Sequence, residues 1–243
     1  MTAFLEVDRV SKTFGGVRAN VDVSFAVERG EILGLIGPNG AGKTSLFNAI
    51  AGEVSPDAGE IRLEGRRISG FGPVACARAG VARTFQVVRS FDSMTVLENV
   101  MVGAFAREAR PREAMREAER VIAFCGLDAR IDAPAHALTP PEKRRLEIAR
   151  ALATRPILLL LDETLTGLTP TEAAGGVALV RAVREQGVTV IMVEHVMEVV
   201  LPLVDRAVVL NLGRVLMQGS PAEVVRHPEV IRAYLGDRYA AAS

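Results

Sequence analysis

Short apolar runs alternate with longer amphipathic stretches along the chain, which is the pattern of strands interleaved with helices. Residues 31–37, EILGLIG, and residues 157–162, ILLLLD, are almost continuously apolar, so we predict two strands that are buried on both faces. We also predict strands over residues 4–10 and 21–27, and we expect these two to pair antiparallel. The other predicted strands are residues 61–63, 81–84, 188–194 and 207–219, the last a hairpin around Leu212 and Gly213. Together these elements predict an α/β fold.

The strand pattern gives way to a helical one between Thr95 and Arg155. Residues 106–124, AREARPREAMREAERVIAF, would place charged side chains on one side of a helix and apolar ones on the other. Because this block interrupts the series of strands, we predict a single domain over residues 1–243 in which residues 95–155 form an inserted helical subdomain. Residues 1–94 and 156–243 then form the α/β core with its antiparallel β part.

Composition and charge exclude several classes of protein. Hydrophobic residues make up 49% and charged residues 24%, as in an ordinary globular protein. Basic and acidic residues both number 29, so no net positive field favours a nucleic-acid partner. No apolar run approaches the ~20 residues that span a bilayer. The two cysteines, Cys76 and Cys125, are far apart and lack metal-binding spacing, which predicts a reduced, cytoplasmic protein.

Residues 37–44, GPNGAGKT, lie between a predicted strand and a predicted helix, which is the context that a phosphate-binding loop requires. Its glycines would let backbone N–H groups surround the phosphates, and the start of the helix adds a favourable dipole. We expect Lys43 to contact the β and γ phosphates and the Thr44 hydroxyl to bind Mg²⁺. The alternative is a glycine-rich turn that binds nothing. The predicted ATP contacts are Gly37, Pro38, Asn39, Gly40, Ala41, Gly42, Lys43, Thr44 and Ser45.

An acidic pair, Asp162 and Glu163, ends the second buried strand. The Asp162 carboxylate is suited to the Mg²⁺ shell, and Glu163 at the strand tip would face a nucleophilic water. Such a pair is often only a solvated strand end. Together with the phosphate loop, however, it predicts ATP hydrolysis.

Five segments occur in an order and at separations that resemble the ATP-binding subunits of ABC transporters, over nearly the whole chain. They are GPNGAGKT, TFQ at 84–86, RRLEIARALA at 144–153, LLLLDE at 158–163 and VEH at 193–195. Residues 80–105 and 227–237 are similar to the branched-chain amino acid uptake type, and to its ATPase subunit that carries an ARTFQ segment. The resemblance implies the ABC ATPase fold, and ATP hydrolysis with Mg²⁺ on the inner face of a cell membrane.

The resemblance also implies roles for single residues. Phe14 would stack on adenine, although packing as a core aromatic stays open. Gln86 would contact Mg²⁺ or the attacking water, Glu163 would act as general base, and His195 would reach the γ phosphate. Residues 87–105 would contact the transmembrane permease subunits, although a buried helix face explains these residues almost equally well. An external solute-binding protein would complete the system.

The chain departs from the family at residues 138–142, LTPPE, where the family reads close to LSGGQ or LSYGQ. This signature element normally binds the γ phosphate held by a partner subunit. Pro140 and Pro141 have no N–H to donate, and Glu142 adds a negative charge. The same residues form a good helix start, with Thr139 as N-cap, Pro140 in the first position and Glu142 completing a capping box.

A second departure follows the catalytic glutamate. Thr164 stands where the family has proline, and Thr169 where it has aspartate or asparagine. Both departures fall on surfaces that face a partner, so we hypothesise a heterodimer with a related ATPase whose signature is intact, a homodimer being possible. The alternative function is a regulatory clamp that binds ATP with little turnover. An ABC protein of DNA repair or translation fits less well, because the chain has no tandem ATPase domain.

Overall fold

The computed structural model describes residues 3–85, 89–167, 169–194 and 197–235. These residues form ten strands in two sheets, with helices between them. The strands are β1 (Leu5–Phe14), β2 (Val17–Val27), β3 (Ile32–Ile36), β4 (Ala58–Leu63), β5 (Arg66–Arg67), β6 (Val81–Arg83), β7 (Leu158–Asp162), β8 (Thr189–Val193), β9 (Arg206–Asn211) and β10 (Arg214–Gly219). The helices are α1 (Lys43–Ile50), α2 (Pro73–Arg78), α3 (Val96–Ala104), α4 (Pro111–Phe124), α5 (Pro140–Leu152), α6 (Pro170–Glu185), α7 (Met197–Val200), α8 (Pro221–Arg226) and α9 (Pro228–Leu235).

The larger sheet has the strand order β10-β9-β3-β8-β7-β6, and all its neighbours except β10 and β9 run parallel. Every residue of β3, β7 and β8 is buried, as the continuous apolar runs predict. Along β3, Ile32 and Ile36 belong to one hydrophobic cluster, whereas Leu33 and Leu35 belong to another, so the sheet is covered on both faces. Because the carboxyl ends of parallel strands share one edge, the loops after β3, β7 and β8 lie together there.

The smaller sheet is antiparallel, with the order β2-β1-β4-β5. Its first two strands are longer than predicted, because a hairpin closes tightly at Gly15 and Gly16, which both have positive φ (50° and 87°). Strand β5 and helix α2, which lie in this part of the chain, were not predicted. Strand β5 has only two residues, and the short helix α2 begins at Pro73 within a stretch that has no helical period.

Helices α3, α4 and α5 lie between β6 and β7 and share one hydrophobic cluster. The predicted helix over residues 106–124 is wrong in its first five residues, because α4 begins at Pro111. Proline lacks an N–H and its ring clashes inside a helix, so it takes the first helical position and starts a new helix. The assignment of residues 95–155 to an inserted subdomain stays a prediction. In the described part of the chain no helix is long and apolar enough to cross a membrane.

Candidate nucleotide-binding site

The phosphate loop connects β3 to α1 and has the glycine geometry predicted for it. Gly37, Gly40 and Gly42 have φ of 151°, 78° and 100°, which side-chain-bearing residues rarely adopt. A Cβ on Gly37 would lie 2.2 Å from the carbonyl oxygen of Leu210, and a Cβ on Gly42 would lie 2.2 Å from that of Ala19. The loop therefore passes between two other backbone segments where only glycine fits.

The start of α1 leaves its hydrogen-bond donors open. Gly42 is the N-cap and makes no side-chain cap hydrogen bond, and no acidic residue lies in the first turn. Thr44 is exposed, and the buried Ser45 hydroxyl has no hydrogen-bond partner. Free N–H groups at the positive end of a helix, beside an unpaired hydroxyl, favour an anion. These residues fit a phosphate group.

Lys43 is held inside the phosphate loop. Its side chain points back, so that Nζ donates to the carbonyl oxygens of Gly37 at 2.6 Å and Pro38 at 2.9 Å. Burial lowers the pKa of Lys43, whereas the nearby charges of Glu163 and Asp162 raise it. The lysine therefore lies beside both the phosphate loop and the acidic pair.

Asp162 ends β7 and is 3% exposed. Its carboxylate Oδ2 lies 3.1 Å from Nη2 of Arg83, and its N–H donates to the Thr84 hydroxyl at 3.2 Å. Burial raises the pKa of Asp162, and the positive charge of Arg83 opposes that rise. Among the described residues no cluster of three or more His, Cys, Asp or Glu side chains could hold a metal. One carboxylate with Thr44 and the phosphates is nevertheless a set that suits Mg²⁺.

Glu163 has an unusual backbone that is fixed from both sides. Its φ of 48° is in the left-handed region, which costs a non-glycine residue about 1–2 kcal/mol. Its N–H donates to the carbonyl of Val193 at 2.9 Å, and its carbonyl accepts from Nη1 of Arg144 at 2.7 Å. Strain that neighbours maintain in this way is common at active sites.

The loop that follows Glu163 is held by two charged residues that the sequence analysis missed. The Glu194 carboxylate, 2% exposed, accepts from the N–H of Leu165 at 2.7 Å and from the Thr166 hydroxyl at 2.8 Å. Arg144 of α5 donates to the Thr166 carbonyl at 2.7 Å. Arg144 lies inside the quoted segment RRLEIARALA and Glu194 inside VEH, so their signal was a charged residue within a motif to which no role had been given.

Two residues of this loop are buried, the substituted Thr164 and its neighbour Leu165. The Thr164 hydroxyl has no hydrogen-bond partner, and Leu165 is 6% exposed. A Cβ on Gly176 of α6 would meet the Leu165 side chain at 2.4 Å. The bulk of Leu165 is therefore accommodated by the glycine opposite it.

The start of α5 confirms the predicted helix signal. The helix begins at Pro140 with Thr139 as N-cap, and the N–H of Thr139 donates to the Glu142 carboxylate at 2.8 Å. Nε of Arg130 lies 3.1 Å from the other oxygen of Glu142. Pro141 follows in the second helical position. The N-terminus of this helix is thus satisfied by its own side chains.

Of the three remaining predicted site residues, Phe14, Gln86 and His195, the structure describes Phe14. Phe14 ends β1 and is 44% exposed, with the Lys12 ammonium 5.4 Å from its ring centroid. This exposure argues against packing in the core. Gln86 and His195 lie outside the described residues.

The predicted permease surface divides into two faces along α3. Val96, Val100 and Ala104 are buried in the core, whereas Val102 and Phe105 are exposed. Beside the exposed face is a cavity of about 270 Å³ whose lining includes Ala77, Phe85, Val102, Glu147 and Arg150. The buried helix face is therefore observed for part of this run, whereas the contact with the permease stays a prediction.

A glycine-rich loop that leads into an uncapped helix, next to an acidic pair at the same sheet edge, defines a P-loop nucleoside triphosphatase. Residues 21–166 match the model of the ABC transporter family. Residues 214–240 match that of the branched-chain amino acid ATP-binding cassette transporter family. The chain belongs to the ABC transporter family of ATP-binding proteins, and it is an ATPase of the ABC fold.

Relatives and solved structures agree with this assignment. The chain is 41% identical to the high-affinity branched-chain amino acid transport ATP-binding protein BraF of Pseudomonas aeruginosa, over 96% of this chain and 98% of that protein. It is 38% identical to LivG of Escherichia coli K12, with the same coverage. An ATP-binding cassette of an ABC transporter, solved in its ADP conformation, superposes with a TM-score of 0.89 at 28% identity, covering 98% of this chain and all of the other. The predicted family and fold are confirmed.

Proposed function

We propose that the chain is the ATP-hydrolysing, energy-coupling subunit of a membrane importer for branched-chain or related amino acids, bound to the cytoplasmic face of the membrane. The observation that carries this proposal is the convergence of the open start of α1, Lys43 and the acidic pair at one sheet edge. The solute class rests on the similarity to BraF and LivG along nearly the whole chain.

The chemistry follows from the side chains at this edge. The N–H groups of residues 37–45 and the Lys43 ammonium would hold the β and γ phosphates of ATP. Thr44 and Asp162 would hold Mg²⁺, which neutralises charge on the phosphates. Glu163, whose backbone is fixed by Arg144 and Val193, would accept the proton of the attacking water.

The family resemblance implies three more residues that would complete the site. Phe14 would stack on the adenine ring, and its exposure supports this. Gln86 would contact Mg²⁺ or the water, and His195 would contact the γ phosphate.

The chain would work with a second ATPase subunit, permease subunits and an external solute-binding protein. We favour a heterodimer, because Pro140 and Pro141 have no N–H and Glu142 is negatively charged where a partner's γ phosphate would approach. The exposed side of α3, with Val102 and Phe105, is the surface offered to the permease.

The test is steady-state Mg-ATP turnover of the chain and of Glu163→Gln. Loss of a general base typically lowers turnover by about 10²–10⁴-fold. Glu185→Gln is the matched control, because Glu185 is an exposed carboxylate at the end of α6. Equal turnover in the parent and Glu163→Gln would contradict the assignment of Glu163.

The second candidate function is a regulatory clamp that binds ATP with little turnover. It is favoured by the start of α5, where Thr139 and Glu142 satisfy each other and leave little for a partner's phosphate. Tight Mg-ATP binding by the parent without measurable turnover, alone or with the partner ATPase, would support the clamp over the transport ATPase.

A further inference from the structure

Arg83, at the end of β6, connects the metal-binding carboxylate to the helix that follows the phosphate loop. Besides the ion pair with Asp162, its Nη1 donates to Asn48 Oδ1 of α1 at 2.7 Å. The same nitrogen lies 3.0 Å from the Glu53 carboxylate, just beyond α1. The side chain is only 10% exposed. One largely buried guanidinium thus contacts both the acidic end of β7 and the helix that follows the phosphate loop.

Two guanidinium groups lie against the ring of Phe85. The Arg83 group lies 5.0 Å from the ring centroid and the Arg89 group 4.6 Å, both within the range of cation–π attraction. We call this ring and the two guanidinium groups the Phe85 stack. It extends the Arg83 contacts from the metal side of β6 towards the helical block.

The far side of the Phe85 stack ends at a buried carboxylate. The N–H of Arg89 donates to Oε1 of Glu147 at 3.0 Å, and Glu147 is 3% exposed on α5. Its second oxygen is buried without a hydrogen-bond partner. Arg150, 4.0 Å from Oε1, also lies 5.5 Å from the ring centroid of Phe91. Glu147 and Arg150 line the cavity beside α3.

We propose that Arg83 is a positioning residue for Asp162, and that the Phe85 stack transmits the binding of Mg-nucleotide at Asp162 to Glu147 and Arg150. The inference rests on the proposed function, since it requires Mg-nucleotide at Asp162.

Electrostatics supplies the two states. In the structure the Asp162 carboxylate is paired with Arg83, and a divalent cation bound to the same carboxylate would compete for it and repel the guanidinium. Arg83 keeps Asn48 and Glu53 as partners, so it can move without being left unpaired. Movement of the Arg83 guanidinium would change its contact with the Phe85 ring. At the other end of the Phe85 stack, the Glu147 oxygen that has no hydrogen-bond partner can form a different contact.

The experiment uses a tryptophan reporter, because the chain contains no tryptophan. Phe91→Trp, at an exposed ring under Arg150, is made in the Glu163→Gln background to prevent hydrolysis. Tryptophan emission is recorded with ATP and EDTA and then with Mg-ATP. The affinity of each variant for Mg-ATP is measured in parallel with a fluorescent ATP analogue.

We expect the reporter chain to show an emission change that requires Mg²⁺. Phe85→Leu should remove most of that change while the Mg-ATP affinity stays within about threefold. Arg89→Gln keeps the backbone bond to Glu147 and should reduce the change in part, and it decides the question if Phe85→Leu does not fold. Phe71→Leu, an exposed ring outside the stack, is the control that should leave the change intact.

The outcomes separate the two proposals. A Mg²⁺-dependent change that survives Phe85→Leu and Arg89→Gln, or its absence in a reporter chain that binds Mg-ATP, would overturn the role of the Phe85 stack. A reporter chain that does not bind Mg-ATP would overturn the proposed function itself.

Discussion

The N-termini of α1 and α5 differ in whether their first residues leave backbone N–H groups free to bind an anion. In α1 the first three residues, Lys43, Thr44 and Ser45, all have an N–H, and the glycine N-cap supplies no side-chain acceptor. In α5 the first two residues are prolines, and Glu142 in the third position bonds back to Thr139. Both are well-formed helix starts, but only the first leaves donors for an anion.

The difference shows that a helix dipole alone does not make a phosphate site. The dipole favours an anion at both helix starts, yet α5 carries the negative charge of Glu142 in its own first turn. The helix start predicted to bind this chain's own nucleotide keeps the family pattern, whereas the helix start predicted to face a partner departs from it. Four changes test this contrast, in order of expected effect.

Gly42→Ala should have the largest effect. The added Cβ would lie 2.2 Å from the Ala19 carbonyl oxygen at a residue with φ of 100°, so the phosphate loop must deform. We expect Mg-ATP affinity to fall by about 100-fold or more, since each 1.4 kcal/mol of lost binding is tenfold. Gly187→Ala is the control, with φ of 84° and no atom within 4 Å of the added Cβ. Similar losses of affinity in both variants would argue against close threading of the loop.

Replacement of residues 139–141 by Ser-Gly-Gly should open the start of α5. Two restored N–H groups could each form a charge-assisted bond of about 1.5–3 kcal/mol with a partner's phosphate, so turnover should rise about tenfold or more. The gain should increase with protein concentration, because it needs a dimer. Thr139→Ser alone keeps the prolines and should match the parent. Equal turnover in parent and triple variant would show that the prolines are tolerated.

Glu194→Ala tests the loop that follows Glu163. It leaves the Leu165 N–H and the Thr166 hydroxyl without their acceptor, at a cost of about 1–3 kcal/mol. We expect kcat to fall about tenfold while Mg-ATP affinity stays close to the parent, because the phosphate loop is untouched. Glu194→Gln should recover part of kcat, and Glu185→Ala, at an exposed residue, is the control. An unchanged kcat would remove Glu194 from the site.

The smallest effect concerns the pH dependence of α5. The hydrogen bond from the Thr139 N–H holds the pKa of Glu142 below its ordinary value. A depressed carboxyl pKa stabilises the folded state above the unfolded pKa of about 4.3, and that contribution is lost as the pH falls through the folded value. At pH 7 Glu142→Gln should therefore lower the free energy of unfolding by about 0.5–1 kcal/mol, and the difference should shrink below about pH 4. Chemical denaturation at several pH values measures it, and a difference that grows with acid would contradict it.

The sequence predicted those parts of the fold whose cause is local. Gly37 and Gly42 permit a positive φ, Pro140 favours the first helical position and the short apolar runs favour buried strands, so the phosphate loop, the start of α5 and the central strands were placed correctly. The start of α4 was missed because the charge pattern of residues 106–124 was given more weight than the proline inside it.

The contacts of Arg144, Glu194 and Arg83 could not be predicted. Each joins residues far apart in the chain, such as Arg83 and Asp162, and a charged side chain does not reveal from its neighbours in sequence which group it will meet. Short motifs predict the reacting groups, whereas the side chains that contact and hold those groups are visible only in the folded structure.

The contact between Leu165 and Gly176 has a consequence for mutagenesis. Leu165→Ala would leave an unfilled volume against a glycine, whereas Gly176→Ala would place a methyl group 2.4 Å from the leucine side chain. Each single change would look damaging for opposite steric reasons. The double replacement exchanges volume between the two positions, so a scan of one residue at a time would overestimate the importance of both.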